Sequence, residues 1–288
     1  MKDSCNRRLR DLLRQRKAVL LPGAANALAA RIIEDIGFQA IYVTGAGVTN
    51  AFLGVPDIGL ITLTELASHV SAMREAVALP LIVDADTGFG NPLNVARTVQ
   101  VLERSGANAI QLEDQEFPKK CGHFSGKSVI ARAEMVQKIH AAVDARIDAD
   151  LVIVARTDAI AGNGFDDAME RAAAYIEAGA DMTFVEAPRT REQMAEIPKR
   201  LAVPQFINIV SGGLTPMIGL DELERMGFVM VLYANAALQA SIAGMQKVLG
   251  HLKTHGSLDG VAGELASFEE RQRLVSKPRF DAIEKKYS

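Results

Sequence analysis

Residues 80–90 read PLIVDADTGFG, a short run of branched apolar residues that ends in two acids, a threonine and two glycines. A run without polar alternation is how a strand buried on both faces of a parallel sheet reads. Outward from this stretch the same pattern recurs at 18–21 (AVLL), 39–43 (QAIYV), 108–112 (NAIQL), 151–155 (LVIVA), 182–185 (MTFV), 204–209 (PQFINI) and 228–233 (FVMVLY), which with 80–84 makes eight strands. Between them lie stretches with apolar residues three and four apart, such as Leu66 to Val70, Val95 to Val99, Ala168 to Ala172 and Met194 to Ile197. That is the spacing of helices that cover a sheet. Eight strand–helix alternations predict a closed (β/α)₈ TIM barrel, because an open doubly wound sheet usually has fewer strands.

The chain has 288 residues, 49% of them hydrophobic and 23% charged, so a single barrel domain over 1–288 is the expectation. An N-terminal helix within 1–17 places Leu9, Leu12 and Leu13 on one side. It should plug the N-terminal mouth of the barrel, with its arginines as a solvated face. After the eighth strand a helical extension covers about 236–288: Ala236 to Leu252, a break at Gly256-Ser257-Leu258, then a charged tract from Glu264 to Lys286. Such a surplus helix suits exchange with a neighbouring subunit, or a return onto its own barrel. The net charge of −3 and the pI near 6.0 offer no broad positive field, so neither nucleic acid nor an anionic membrane is an expected partner. The start lacks an apolar signal core and no run reaches the roughly 18 apolar residues of a spanning helix, so a cytoplasmic protein is expected. Two cysteines, Cys5 and Cys121, lie far apart and suggest neither a disulfide framework nor a zinc site.

In such a barrel chemistry sits at the C-terminal ends of the strands. Strand two ends in Thr44-Gly45-Ala46, three in Asp84 and Asp86, four in Glu113-Asp114, five in Arg156 and Asp158, six in Glu186, seven in Asn208, and eight in Tyr233-Ala234-Asn235. Asp84 and Asp86, two apart on an extended segment, share a face, and Glu113 from the adjacent strand can join them. An all-oxygen cluster suits a hard cation, Mg²⁺ first and Mn²⁺ as a substitute. An isolated acidic pair could equally cap a helix or hold a lysine; beside Glu113 and Glu186 the metal reading leads. Arg156 is placed to clamp a substrate carboxylate through its fork, or to pair with Asp158 or Glu186, or both in turn. The long segment 115–129 holds Lys119-Lys120-Cys121-Gly122-His123, a basic setting that favours a thiolate on a loop suited to act as a lid. Gly45-Ala46-Gly47 and Gly88-Phe89-Gly90 do not complete a dinucleotide or phosphate-loop pattern. His69, His140, His251 and His255 carry no ligand spacing and read as surface residues.

These motifs, together with Pro22-Gly23, Leu53 to Asp57, Ala155 to Asp158 and Phe184 to Glu186, resemble the isocitrate lyase/phosphoenolpyruvate mutase superfamily over nearly the whole chain, and the lysine–cysteine–histidine loop is similar to its lyase branch. The resemblance implies a helix-swapped pair of subunits doubled into a homotetramer, and Mg²⁺ near Asp84, Asp86 and Glu113. It implies a small dicarboxylate or 2-oxo acid substrate bound by Thr44, Gly45, Ala46, Asp57, Gly122, His123 and Asn208. It implies catalytic roles for Cys121, Tyr42, Arg156 and Glu186: proton removal from a 2-hydroxyl with Tyr42 taking part, cleavage of the C2–C3 bond of a substituted malate, and protonation of the resulting carbanion by Cys121. Three positions depart from the family pattern. Ser211 stands where an acid is common, Ala234 where proline or serine is common, and Gln239 where members acting on tricarboxylates carry an arginine. The last argues against a third substrate carboxylate, which would be costly to leave unpaired in a closed site. Hydrolysis or decarboxylation of oxaloacetate, phosphonate chemistry, and a non-catalytic metabolite-binding scaffold are the competing expectations.

Overall fold

A computed structural model describes residues 4–120 and 126–288 of the chain. Its strands, β1 (Val19–Ala24), β2 (Ile41–Val43), β3 (Leu81–Asp84), β4 (Ala109–Glu113), β5 (Val152–Thr157), β6 (Met182–Val185), β7 (Gln205–Asn208) and β8 (Phe228–Tyr233), pair in parallel and in sequence order. β8 closes the barrel on β1. Each strand falls on one of the eight expected runs, with β1 carried further, to Ala24.

The helices are α1 (Cys5–Arg14), α2 (Ala27–Ile36), α3 (Gly45–Val48), α4 (Leu63–Ala76), α5 (Pro92–Arg104), α6 (Arg132–Asp144), α7 (Phe165–Glu177), α8 (Arg191–Arg200), α9 (Leu220–Met226), α10 (Ala236–His255), α11 (Phe268–Leu274) and α12 (Lys277–Tyr287). Their starts are chemically marked. Thr62 and Glu65 cap α4 reciprocally, and Asn91 accepts two backbone N–H groups ahead of Pro92 in α5.

Side chains alternate across a strand, so one parity faces the barrel axis. Leu21, Tyr42, Ile82, Ala109, Val154, Phe184, Phe206, Met230 and Leu232 form this inner cluster, and Leu9 and Leu13 of α1 close it at the N-terminal end. The opposite parity packs on the helices, as Val43, Val83 and Ile110 do against α2, α4 and α5. Arg7, Arg8 and Arg14 of α1 lie exposed, as the expected solvated face has them, but the helix is also fastened through its arginines. Arg10 donates to the carbonyls of Asp150 and Leu151 at 3.0 Å each and pairs with Asp181 at 2.7 Å, and Arg8 donates to Ala78 O at 3.0 Å. The strand ends at the barrel floor leave carbonyls without sheet partners, and guanidinium groups satisfy them.

After β8 the chain leaves the barrel wall. α10 carries no buried residue along its 20 residues. The outer face of β1 is left partly open, with Leu20 36% and Ile36 67% exposed beside a groove also lined by Ala18, Phe38 and Leu220. α11 returns to its own barrel, where Arg273 forks onto Asp35 at 2.7 and 2.6 Å and Arg31 donates to Ser276 at 2.9 Å. Among the described residues no helix is long and apolar enough to cross a membrane.

Candidate active site

Continuing the inner rows of the strands past the apolar layers brings up Thr44, Asp84, Glu113, Arg156, Glu186, Asn208 and Ala234, which line one cavity of about 40 Å³ with Tyr42, Ala46, Asp57, Lys119 and Asn235. That is room for a few water-sized groups. Alternation also separates neighbours. Glu113 points in, whereas Asp114 points out and is fully buried under the rim. There it accepts from Thr157 Oγ1 and Tyr175 Oη at 2.8 Å each, from Asp158 N at 2.9 Å and from Arg171 at 3.3 Å. Asp114 thus ties the ends of β4 and β5 to α7 and has no part in the cavity.

Arg156 is the charge centre of the site. It forks onto Asp158 at 2.8 and 3.0 Å, faces Glu113 at 3.4 Å and Glu186 at 3.3 Å, and stacks 5.1 Å above the Phe184 ring. Burial would depress its pKa, but Asp158, Glu186 and Glu113 override that and hold it well above its ordinary value. The expected pairing of Arg156 with Asp158 and Glu186 is present: the Nε and Nη2 groups that bond Asp158 also face Glu113 and Glu186. Asp158, which Lys127 also pairs at 2.6 Å, is drawn down to about 2 because Arg156 and Lys127 outweigh its burial.

Lys119 is the residue that the sequence reading left out of the site. Only 3% exposed, it bonds Asp57 and pairs with Asp86 Oδ1 at 2.8 Å. Burial would lower its pKa, but Asp86, Glu113 and Asp57 push it well above the usual lysine value. The adjacent main chain is clamped by Gln115, whose amide receives Lys120 N at 2.9 Å and donates to Lys120 O at 2.8 Å. A signal was available in the sequence, since Asp57 and Lys119 both stand in quoted motifs and Asp57 needed a cation. Cys121, Gly122 and His123 lie outside the described residues.

The acids fit a divalent cation by chemistry and charge. Among the described residues six carboxylates, Asp57, Asp84, Asp86, Glu113, Asp158 and Glu186, gather with four cations, Lys119, Lys127, Arg156 and, at the cavity wall, Lys120. The imbalance shows in proton affinity: burial raises Asp86 to about 6 despite Lys119, and raises Glu113 well above the glutamate range despite Arg156. Glu113 Oε1 is buried without a hydrogen-bond partner. Gly45 brings backbone against the pair of aspartates, since a Cβ there would sit 3.1 Å from Asp84 Oδ2 and 3.3 Å from Asp86 Oδ1. In the present side-chain arrangement no three of the described acids converge tightly enough to chelate an ion, Lys119 being seated on Asp86. Tyr42, expected to take part in proton removal, lines the cavity as a hydrogen-bond donor to a buried amide. Its hydroxyl donates to Gln111 Oε1 at 2.9 Å, and burial followed by Asp84 pushes its pKa well above the ordinary value. It enters the site as a neutral hydroxyl.

Fold and site together define a (β/α)₈ enzyme that gathers carboxylates, a buried lysine and a forked arginine around one small cavity. The chain belongs to the phosphoenolpyruvate phosphomutase family, whose pattern it matches over residues 9–253. It is 42% identical over 281 residues to a 2,3-dimethylmalate lyase of Eubacterium barkeri, covering 98% of this chain and 97% of that protein. It is 44% identical over 267 residues to a 2-methylisocitrate lyase of Aeropyrum pernix, covering 93% and 86% respectively. Among solved structures it superposes with a TM-score of 0.94 on oxaloacetate acetylhydrolase bound to 3,3-difluorooxalacetate, at 34% identity over 99% of this chain and 97% of that one. It superposes at 0.90 on phosphonopyruvate hydrolase bound to oxalate and Mg²⁺, at 31% identity over 99% of both. The chain is an enzyme of the carbon–carbon lyase class within the PEP mutase/isocitrate lyase superfamily.

Proposed function

We propose that the chain cleaves the C2–C3 bond of a small substituted malate, giving a 2-oxo acid such as pyruvate and a carboxylate. The observation that carries this reading is the convergence of the inner rows of β3 to β6 on one buried cavity, with Asp84, Glu113, Arg156 and Glu186 at its wall. Its likeness along nearly the full chain to a 2,3-dimethylmalate lyase supports the substrate class. Mg²⁺, or Mn²⁺ in its place, would be held by Asp84, Asp86 and Glu113, and when bound it supplies positive charge to the substrate's 2-oxygen.

The chain's own residues supply the rest. Arg156 offers its free edge to the C1 carboxylate, while Asp158 keeps the guanidinium planar and oriented. Thr44, the Gly45 and Ala46 backbone, and Asn208, whose Oδ1 is buried without a partner, orient the remaining polar groups. Tyr42, neutral, accepts a hydrogen bond from the 2-hydroxyl and orients it while the proton passes to the Glu186 carboxylate at the cavity wall, from which it returns to the Cys121 thiolate at the end of the cycle. The O–H pair becomes the new C2=O bond, and the C2–C3 pair moves to C3 and into the adjoining carboxylate. Cys121 then gives its proton to C3, and Gly122 and His123 would help bind the substrate; Asp57 anchors Lys119 two residues before Cys121 in the chain. Gln239 is exposed and uncharged, so the described site has no cation there for a third carboxylate. A thiol used as an acid must stay reduced, which supports a reducing compartment such as the cytoplasm. The bare groove on β1 and the unburied α10 support pairs of subunits that exchange this helix and assemble as a homotetramer.

A second reading, hydrolysis of oxaloacetate, is favoured by the superposition on oxaloacetate acetylhydrolase. Purified protein with Mg²⁺ is incubated with 2,3-dimethylmalate, other alkylmalates, 2-methylisocitrate and oxaloacetate, with Cys121→Ala as control, and products are identified by NMR. Pyruvate and a carboxylate from a malate, lost in the variant, establish the lyase and its substrate. Oxalate and acetate from oxaloacetate alone overturn it in favour of hydrolysis.

A further inference from the structure

Gln111 sits in the middle of β4 with no exposed surface, a polar residue inside the otherwise apolar inner cluster of Tyr42, Ile82, Val154 and Phe206. A buried amide survives there only by spending its polar atoms on partners. Its Oε1 accepts the Tyr42 hydroxyl at 2.9 Å and its Nε2 donates to Asp84 Oδ1 at 3.1 Å. The amide can point only one way, because its oxygen turned toward Asp84 would face a carboxylate. Two consequences follow from that fixed polarity. Asp84 Oδ1, which also accepts Asp86 N at 3.2 Å, is committed to two donors, so Oδ2 is the oxygen turned with Asp86 Oδ1 toward the Gly45 backbone. Tyr42 spends its single proton on the amide, so its lone pairs are what it offers to the cavity it lines.

We propose that Gln111 is a positioning residue for this site: it selects the Asp84 oxygen presented to the cation, and it fixes Tyr42 as an acceptor for the substrate's 2-hydroxyl. This rests on the metal-assisted reading above. Gln111 acts from one layer below the reacting atoms and touches neither cation nor substrate. Groups that hydrogen-bond a metal ligand in this way commonly change metal affinity by about 10–100-fold when removed.

The test uses Gln111→Met, close in size and without either hydrogen bond, and Gln111→Asn, one methylene shorter, should the first fail to fold. Mn²⁺ affinity is read by electron paramagnetic resonance and calorimetry. The hydrogen-bonding state of tyrosine is read by ultraviolet resonance Raman in metal-free protein, with Tyr42→Phe identifying the Tyr42 contribution. Either Gln111 variant should weaken Mn²⁺ binding about tenfold, lower kcat by about tenfold or more with KM within about threefold, and remove the donor signature of Tyr42. Tyr42→Phe should keep Mn²⁺ affinity within about threefold. A folded variant with unchanged Mn²⁺ affinity and an unchanged tyrosine spectrum overturns the proposal. If the wild-type protein binds no Mn²⁺, the metal reading falls by itself and the Raman measurement decides for Gln111: a persisting Tyr42 donor signature overturns it.

Discussion

Arg156 carries the charge balance of the cavity, and its shape matters as much as its charge. A lysine at this position keeps one positive charge but cannot fork onto Asp158 while facing Glu113 and Glu186. Arg156→Lys should therefore lower kcat/KM by about 100-fold or more and cost about 1–3 kcal/mol in urea unfolding. Steady-state assays and a denaturation curve on the same preparation check both. Asp158 answers to pH. Its carboxyl is held at about 2 against an ordinary 3.8, so it contributes stability above pH 4 that is lost as pH falls through about 2. That difference corresponds to about 2 kcal/mol, and Asp158→Asn should flatten the acid limb of stability over this window, as read from melting between pH 5 and 2. Much of this scale was legible in the sequence. Inward parity, counted back from Asp84 or Glu113, brings Asp84, Asp86, Glu113, Arg156, Glu186 and Asn208 to one rim. Gln111 was passed over because a lone polar residue in an apolar run reads as noise until its partners are seen. Asp114 was read with Glu113 at the rim because adjacency in sequence hides opposite faces, and nothing in the chain shows that the Tyr42 proton is bound to Gln111.

At the scale of elements, the strands were legible because burial on both faces leaves uninterrupted apolar runs, and the helices because one face of each is buried. What sequence could not show is how α1 is held. Its leucines were evident, but the arginines bond carbonyls contributed by distant segments of the barrel floor, and no periodicity encodes such long-range partners. This end of a barrel governs stability rather than chemistry. Leu9 has no exposed surface and packs within the inner cluster, so Leu9→Ala should cost about 2–5 kcal/mol. Because the cavity lies at the opposite end of the strands, the same variant should keep its KM and kcat at temperatures where it is folded. Thermal unfolding read beside initial rates checks this, and a variant that loses turnover while still folded would show that the floor and the rim are coupled.

For the whole molecule, the unresolved balance is apolar surface. α10 exposes Ile242, Met245, Leu249 and Leu252, spaced three, four and three apart along one stripe, while the same chain leaves a groove beside Leu20 and Ile36 on the barrel wall. In the proposed exchange across a two-fold axis, each subunit's stripe would cover the other's groove. Exposed stripes of this kind in a stable protein mark an interface. With these pairs doubled as proposed above, the wild-type protein should sediment near four times the 31.0 kDa of one chain, with the exchanged pair as its building block. Ile36→Asp places a charge in the groove without touching the inner cluster, and should raise the dissociation constant of that pair by about 100-fold or more, because a buried unpaired carboxylate opposes association. Leu249→Asp on the stripe should do the same. Combining the two should add little, since either alone already opens the contact they share. Sedimentation equilibrium of the wild type and the three variants decides the matter: a monomeric wild type, with both substitutions silent, would leave the groove and the stripe as unrelated surfaces.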